Sequence, residues 1–136
     1  MSPISEKEFA SASHDQTIKI WDCPAYKCKA TLKGHEKGVW SLMYDPQGKR
    51  LVSASPDTFV KIWDAKSGKC AETLKGHTSF CYKACFDGTG NHVVSVGADY
   101  VVNFWDLRKA KAPVFQNKGK FTIFAPICFM QNLKTC

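Results

Sequence analysis

Two stretches of this sequence are nearly the same, "TIKIWDCPAYKCKATLKGH" at residues 17–35 and "FVKIWDAKSGKCAETLKGH" at residues 59–77. The offset between them is 42 residues. When residues 9–49 are laid over residues 51–91 without a gap, 17 of 41 positions are identical. Periods of about 20 to 50 residues are typical of solenoids, propellers and arrays, so the chain is predicted to consist of stacked repeats.

A third copy of the repeat follows at the same offset, because the Trp-Asp pairs at 21–22 and 63–64 recur at 105–106. Within one period the apolar runs are short and rich in valine, isoleucine and aromatic residues, as in "TFVKIWD". Turn sequences such as Asp45-Pro46-Gln47-Gly48 separate these runs. The pattern predicts four antiparallel strands per period and an all-β fold without helices.

Composition places the chain among ordinary globular proteins. Its 136 residues, of which 44% are hydrophobic and 12% aromatic, suffice for one packed domain. No run approaches the roughly 20 apolar residues that a membrane-spanning helix needs, and the N-terminal "MSPISEKEF" is too polar for a signal peptide. We therefore expect an intracellular protein of the cytoplasm or nucleus, with no membrane partner.

The formal net charge of +7 raises the alternative of a basic, nucleic-acid-associated module. Many lysines recur with the period, as Lys19 does at Lys61 and Lys33 at Lys75, which places them at equivalent sites around the molecule. A solvated surface is therefore favoured over one dense binding stripe. The cluster Arg108, Lys109 and Lys111 is where the nucleic-acid alternative would be tested by salt dependence.

Seven cysteines could indicate disulfides or a metal site, but the repeat explains most of them more simply. Cys28 and Cys70 lie one period apart, and Cys81 and Cys85 align with apolar positions of the preceding copy. Along a strand the last two would be roughly 13 Å apart, too far for one metal or one disulfide. We expect buried, reduced thiols, and neither a metal nor a cofactor.

The ordered set Gly34-His35, Ser53, Asp57 and Trp63-Asp64 resembles a repeat of the WD (tryptophan-aspartate, transducin-like) family. The third copy resembles it as well, and together the copies cover residues 9 to about 117. Members of that family fold each repeat into a four-stranded blade of a β-propeller. The resemblance therefore implies a partial propeller of about three four-stranded antiparallel blades.

In this family a buried network links the histidine, a serine or threonine, the turn aspartate and the tryptophan. Carried over to this chain, the resemblance implies a structural network of His35, Ser53, Asp57 and Trp63 in blade two, His77, Ser95, Asp99 and Trp105 in blade three, and Ser11, Asp15 and Trp21, without a histidine, in blade one. Buried polar groups must be paired, which explains why these residue types occur together.

Serine, histidine and aspartate are also the members of a hydrolase triad. Repetition argues against that chemistry, because a catalytic serine needs one open cleft with an oxyanion hole, whereas this trio recurs beside a tryptophan that would bury it. The sequence also lacks a Gly-x-Ser-x-Gly elbow and a phosphate-binding glycine loop. We predict that the protein is not an enzyme.

WD-repeat proteins are in general platforms for protein partners, which contact the blade tops around the central channel. The residues of this chain at matching positions are His14, Pro56, Ala98, Trp40, Phe80 and Tyr82. Exposed aromatic side chains are common anchors of interfaces. Phe80 is favoured because its counterpart Gly38 indicates that the core needs no bulk there, whereas Trp40 and Tyr82 could equally pack between blades.

We predict that residues 1–136 form a single repeat region with an incomplete blade one over residues 9–33, blade two over residues 36–75, blade three over residues 78–117, and a degenerate strand and tail over residues 118–136. Closed propellers typically use about four to eight blades, so blades are missing. The favoured explanation is a fragment or truncated form of a longer protein, acting as a scaffold within a larger assembly. The alternative is a self-assembling half-propeller, in which residues 121–130 complete blade one of a second copy.

Overall fold

The computed structural model describes residues 8–109 and 112–119 of the chain. All eleven regular elements within these ranges are β-strands, which confirms the all-β prediction. Consequently no helix in the described part of the chain could cross a membrane. The strand expected within residues 121–130 and the basic residue Lys111 lie outside the described residues.

The strands form three antiparallel sheets, which we call blades one, two and three. Blade one contains β1 (Glu8–Ala12), β2 (Ile18–Asp22) and β3 (Lys27–Leu32). Blade two contains β4 (Ser41–Tyr44), β5 (Arg50–Ala54), β6 (Val60–Asp64) and β7 (Cys70–Leu74). Blade three contains β8 (Cys81–Phe86), β9 (His92–Gly97), β10 (Val101–Asp106) and β11 (Phe115–Lys118). Each strand pairs with its neighbours in sequence, as in a partial propeller.

The turn between the second and third strands of a complete blade has the same backbone geometry in every repeat. The residue after the turn aspartate has a positive φ each time, although none of the three is glycine: Gln16 (74°), Thr58 (76°) and Tyr100 (59°). In blade two the Asp57 carboxylate accepts a hydrogen bond of 3.0 Å from the Phe59 backbone N–H. This local bond holds the left-handed conformation that L-residues ordinarily avoid.

The core lies between the blades, so blade two is buried on both faces. Successive residues of a strand point to opposite faces. Leu51 and Trp63 accordingly pack toward blade one, in a cluster with Ile18 and Ile20. The alternate residues of β5 and β6 pack toward blade three, in a cluster made of Val52, Ala54, Val60, Ile62, Leu74, Cys81, Ala84, Phe86, Val93 and Trp105.

Backbone hydrogen bonds also join neighbouring blades. The Val39 N–H donates to the Ser13 carbonyl at 2.9 Å, and the Cys81 N–H donates to the Ser55 carbonyl at 3.1 Å. Donors and acceptors are each 42 residues apart, so the two junctions are repeats of one contact. The sequence period therefore sets the position of each blade as well as its internal pairing.

The cysteines follow the predicted burial in one pair and not in the other. Cys81 and Cys85 are buried, and burial raises the pKa of both thiols above the ordinary value. Cys28 and Cys70 are exposed, so the expectation that they are buried is wrong. Both belong to β3 and β7, the edge strands of their sheets, where no further strand covers them. The five described cysteines form no disulfide.

Candidate functional site

Four buried side chains of blade two form a continuous chain of hydrogen bonds. The Trp63 indole Nε1–H donates to Ser53 Oγ at 2.8 Å. Ser53 Oγ lies 2.7 Å from His35 Nε2, and His35 Nδ1 lies 2.6 Å from Asp57 Oδ2. The Asp57 carboxylate can only accept, so His35 Nδ1 carries the hydrogen of that bond. With a neutral ring, the Ser53 hydroxyl then donates to His35 Nε2.

Hydrogen bonds decide the charge of Asp57. Burial opposes ionisation of this carboxyl, but the hydrogen bonds from His35 and from the backbone N–H groups of Phe59 and Glu36 favour the charged form. The net effect lowers the pKa of Asp57 below its ordinary value. The network therefore holds an ionised carboxylate against the blade two turn.

Blade three repeats this network with similar distances. Trp105 Nε1–H donates to Ser95 Oγ at 2.9 Å, and Ser95 Oγ lies 2.8 Å from His77 Nε2. His77 Nδ1 lies 2.9 Å from Asp99 Oδ2. The two tryptophans are each 1% exposed, so both networks belong to the interior of the stack.

Among the described residues, blade one contains the tryptophan, serine and aspartate of this network but no histidine. Trp21 Nε1–H donates to Ser11 Oγ at 2.9 Å, as in the other blades. Asp15 instead accepts from the side chain and the backbone of Thr17, and these bonds lower the pKa of Asp15. Trp21 is half-buried, with the Phe9 ring stacked on it at a centroid distance of 6.1 Å.

The trio in blade two has the atom pairing of a hydrolase triad, with serine Oγ on histidine Nε2 and aspartate on Nδ1. Its environment does not allow that chemistry. Ser53 is fully buried and its oxygen accepts the Trp63 indole N–H, so no substrate carbonyl can approach it. The same holds for Ser95 and Trp105 in blade three. These networks can stabilise the blades, but they cannot attack a substrate.

Three aromatic side chains from two blades meet where β4 and β8 begin, the end of the stack that we call the top. The Trp40 ring stacks on the Tyr82 ring at a centroid distance of 5.7 Å and meets the Phe80 ring edge-on at 6.0 Å. Trp40 is 46% exposed and Phe80 44%, whereas Tyr82 is half-buried. We call Trp40, Phe80 and Tyr82 the aromatic surface.

The remaining predicted contact residues occupy different environments. His14 is exposed, Ala98 is half-buried and Pro56 is buried, so the structure does not bring Pro56 to the surface. At Gly38, the counterpart of Phe80, a Cβ would lie 2.7 Å from His14 Nδ1. Close packing against blade one requires the glycine there, whereas the Phe80 side chain at the equivalent position of blade three is 44% exposed.

Sequence reasoning missed Lys37. Its Nζ lies 5.3 Å from the centroid of the Phe80 ring, which places a cation at the edge of the aromatic surface. The only hint in the sequence was its position next to Gly38, at the start of the innermost strand of blade two. The contact joins blade two to blade three, and the lysine is not repeated at the offset of 42 residues.

Comparison with protein families gives three matches to the model of the WD domain, G-beta repeat, at residues 3–22, 26–64 and 68–106. These segments together cover most of the chain.

Curated relatives match over shorter segments. A protein named non-functional target of rapamycin complex subunit LST8-2, from Arabidopsis thaliana, is 37% identical over 36% of this chain and 16% of its own length. Coronin-7 from Rattus norvegicus is 41% identical over 36% of this chain and 5% of its own length. Pre-mRNA-splicing factor PRP46 from Debaryomyces hansenii is 48% identical over 31% of this chain and 10% of its own length. The matched region thus spans at most 16% of these relatives.

With three repeats matched by the family model and three antiparallel blades in the fold, the chain belongs to the WD-repeat family.

Proposed function

We propose that this chain is a noncatalytic scaffold that binds a protein partner through the aromatic surface at the top of blades two and three. One observation carries the proposal: the Trp40 and Phe80 rings are held against each other while nearly half of each stays exposed. Aromatic anchors of this kind commonly dominate the binding energy of protein interfaces. Preorganised rings also lose little conformational freedom when a partner binds.

The names of two relatives support a role within an assembly. One, Coatomer subunit beta' from Rattus norvegicus, is called a subunit, and another is called a pre-mRNA-splicing factor. By analogy, the top surface of this chain would hold one component of an assembly while its remaining surface faces others. Such a role requires no catalytic group, in agreement with the burial of both Ser-His-Asp trios.

The described residues favour a protein partner over nucleic acid. Arg108 Nε lies 2.9 Å from Asp106 Oδ1, and Lys109 Nζ lies 3.8 Å from Asp106 Oδ2. This pairing partly neutralises the basic cluster on which the nucleic-acid alternative depends. We expect retention of the chain on a polyanion column to be weak at physiological salt and unchanged in Arg108→Gln.

Site-specific photocrosslinking tests the proposal. A photoreactive phenylalanine analogue would replace Phe80 in one version of the chain and Tyr26, an exposed turn residue of blade one, in a matched control. Discrete protein adducts should form from position 80 in the native cell extract and be absent from position 26. The adduct, once identified by mass spectrometry, should bind the purified chain directly.

Truncation of Trp40 provides the quantitative arm of the test. Trp40→Ala should weaken binding of that partner by about 2 kcal/mol, or roughly 30-fold, because it removes the central ring of the surface. Tyr26→Ala should leave the affinity unchanged. Adducts that form equally from positions 26 and 80, or affinity that is insensitive to Trp40→Ala, would contradict the proposal.

A further inference from the structure

The two ends of the three-blade stack each present a sheet face that no described residue covers. On blade three this face carries Val94, which is buried, together with the half-buried Val96, Val102 and Phe104 and the exposed Phe115. The Phe104 and Phe115 rings are in contact at a centroid distance of 5.5 Å. They alternate along their strands with residues that pack on blade two, such as Val93 and Trp105. We call this set the blade three end face.

On blade one the uncovered face carries Phe9, Ser11 and Trp21. Trp21 bonds Ser11 and stacks on Phe9, so the three share one face, opposite to the Ile18 and Ile20 that pack toward blade two. Phe9 is 37% exposed, which is high for a large apolar side chain of a strand. We call this set the blade one end face.

The repeat makes these two faces complementary. One period earlier than Val94 and Phe104 stand Val52 and Ile62, which are buried. Two periods later than Phe9 and Trp21 stand Val93 and Trp105, which are buried in the same cluster as Val52 and Ile62. At the junction between blades two and three, a face equivalent to the blade three end face therefore packs on a face equivalent to the blade one end face.

We propose that a second copy of this chain covers both end faces, with blade one of each copy packed on blade three of the other. The two end faces share no residue with the aromatic surface, so this association is separate from the proposed function. One chain carries both halves of the contact, which is the reason to assign it to a second copy. A head-to-tail contact between two different faces forms a closed ring only when the rotation that relates one copy to the next returns to the first copy. The described residues of two copies supply six blades, within the range of about four to eight for closed propellers.

The contact lacks one element of the interior junctions. Blade one has three strands among the described residues, so it offers no counterpart of the Val39 N–H that donates to Ser13. Burial of apolar side chains must therefore supply the association without this bond. The dimer should consequently dissociate on dilution.

Sedimentation velocity of the full chain over a wide concentration range measures the association. The wild-type chain should form a dimer that dissociates to a monomer on dilution. Phe104→Lys and Phe9→Glu should each weaken dimerisation at least about tenfold, because each places a charge in one apolar half of the contact. Tyr26→Glu, at an exposed aromatic in the β2–β3 turn, is the matched control and should leave the dimer intact.

Mixing the two charged variants distinguishes the proposed geometry from other dimers. A mixed pair contains one wild-type contact and one contact between Lys at position 104 and Glu at position 9. Dimerisation of the mixture should therefore exceed that of either variant alone. Circular dichroism would verify that each variant is folded, and Val102→Lys replaces Phe104→Lys if that variant loses strand signal.

Four results would overturn the inference. The first is a chain that stays monomeric at all concentrations, and the second is a dimer that tolerates both Phe104→Lys and Phe9→Glu. The third is a dimer that is sensitive to only one of these substitutions, which indicates pairing of identical faces. The fourth is assembly that grows beyond the dimer with concentration, which shows that the contact does not close into a ring.

Discussion

Blade one and blade two are built from the same repeat, yet only blade two completes the buried hydrogen-bond network. In blade two, His35 joins Asp57 to Ser53, which in turn accepts the indole N–H of Trp63. In blade one the indole bond of Trp21 is present although the described residues of this blade include no histidine that reaches it, and the indole ring is half-buried instead of fully enclosed.

The repeat contains residues that pair the strands within a blade and a histidine that links more distant parts of the chain. Three strands of blade one pair in the same registers as their counterparts in blade two, including a register shift before the tryptophan in each. Formation of the sheet therefore does not need the histidine. The histidine instead links the chain segment that precedes the innermost strand to the turn between the middle strands, so its contribution is tertiary.

The largest expected effect is the removal of the enclosed tryptophan. Trp63→Ala should lower the free energy of unfolding by about 3–5 kcal/mol, because it leaves a void between blades one and two. Trp21→Ala should cost only about 1–2 kcal/mol, because part of its ring already meets solvent. Urea unfolding followed by circular dichroism measures both, and equal losses would remove the distinction between the two blades.

The histidine itself is the second test. His35→Leu should destabilise the chain by about 1–3 kcal/mol, because it leaves the buried Ser53 hydroxyl and Asp57 carboxylate without their partner. The control is Tyr26→Leu at an exposed ring, for which the change should stay within about 0.5 kcal/mol. A similar loss in both variants would mean that the hydrogen bonds of His35 do not account for its contribution to stability.

Acid provides a smaller and reversible perturbation. The folded-state pKa of Asp57 is lowered, so its stabilising contribution is fully present above the unfolded pKa of about 3.9 and is lost as pH falls through the folded pKa. The stability difference between wild type and Asp57→Asn should therefore shrink below about pH 4. Asp15→Asn, at an exposed carboxylate, should give a smaller difference at every pH. A difference for Asp57→Asn that is independent of pH would contradict the assigned ionised state.

The smallest effect concerns the turn before the last strand of each blade. Tyr26 has a φ of 49°, and the residue one period later is Gly68, with a φ of 69°. Tyr26→Gly should stabilise blade one by about 0.5–1 kcal/mol, because glycine adopts a positive φ without steric cost. Gly68→Ala should destabilise blade two by a similar amount. Thermal unfolding of both variants measures this pair, and stability changes of the same sign in the two variants would show that the turns are not equivalent.

Much of the fold could be predicted from the sequence because its information is local and repeated. Alternating apolar residues, turn sequences and a constant offset of 42 residues indicated antiparallel sheets, and the resemblance to the WD family indicated their stacking. Exposure was predicted less well. Cys28 and Cys70 recur like core residues but lie on edge strands, and a repeat alone does not say which strand of a sheet is the edge.

The candidate site was predictable only in its components. Trp40, Phe80 and Tyr82 could be selected as aromatic residues at equivalent positions of two repeats, but their mutual contact arises across a junction between blades. Lys37 and the packing of Gly38 on His14 belong to the same class of contact. Such contacts join residues of different repeats, so no pattern within one period contains them.

By itself, the sequence determined the strand content and the period, because strand pairing and turn geometry depend on neighbours within about one repeat. The resemblance to the WD family implied which residues can form the buried networks. Only the tertiary structure decided which of those residues are enclosed, which aromatic rings meet at the top and which sheet faces remain uncovered. The physical reason is that burial depends on whether another blade lies against a face. That neighbour is a full period away in the sequence, and none of the described blades supplies it for the end faces.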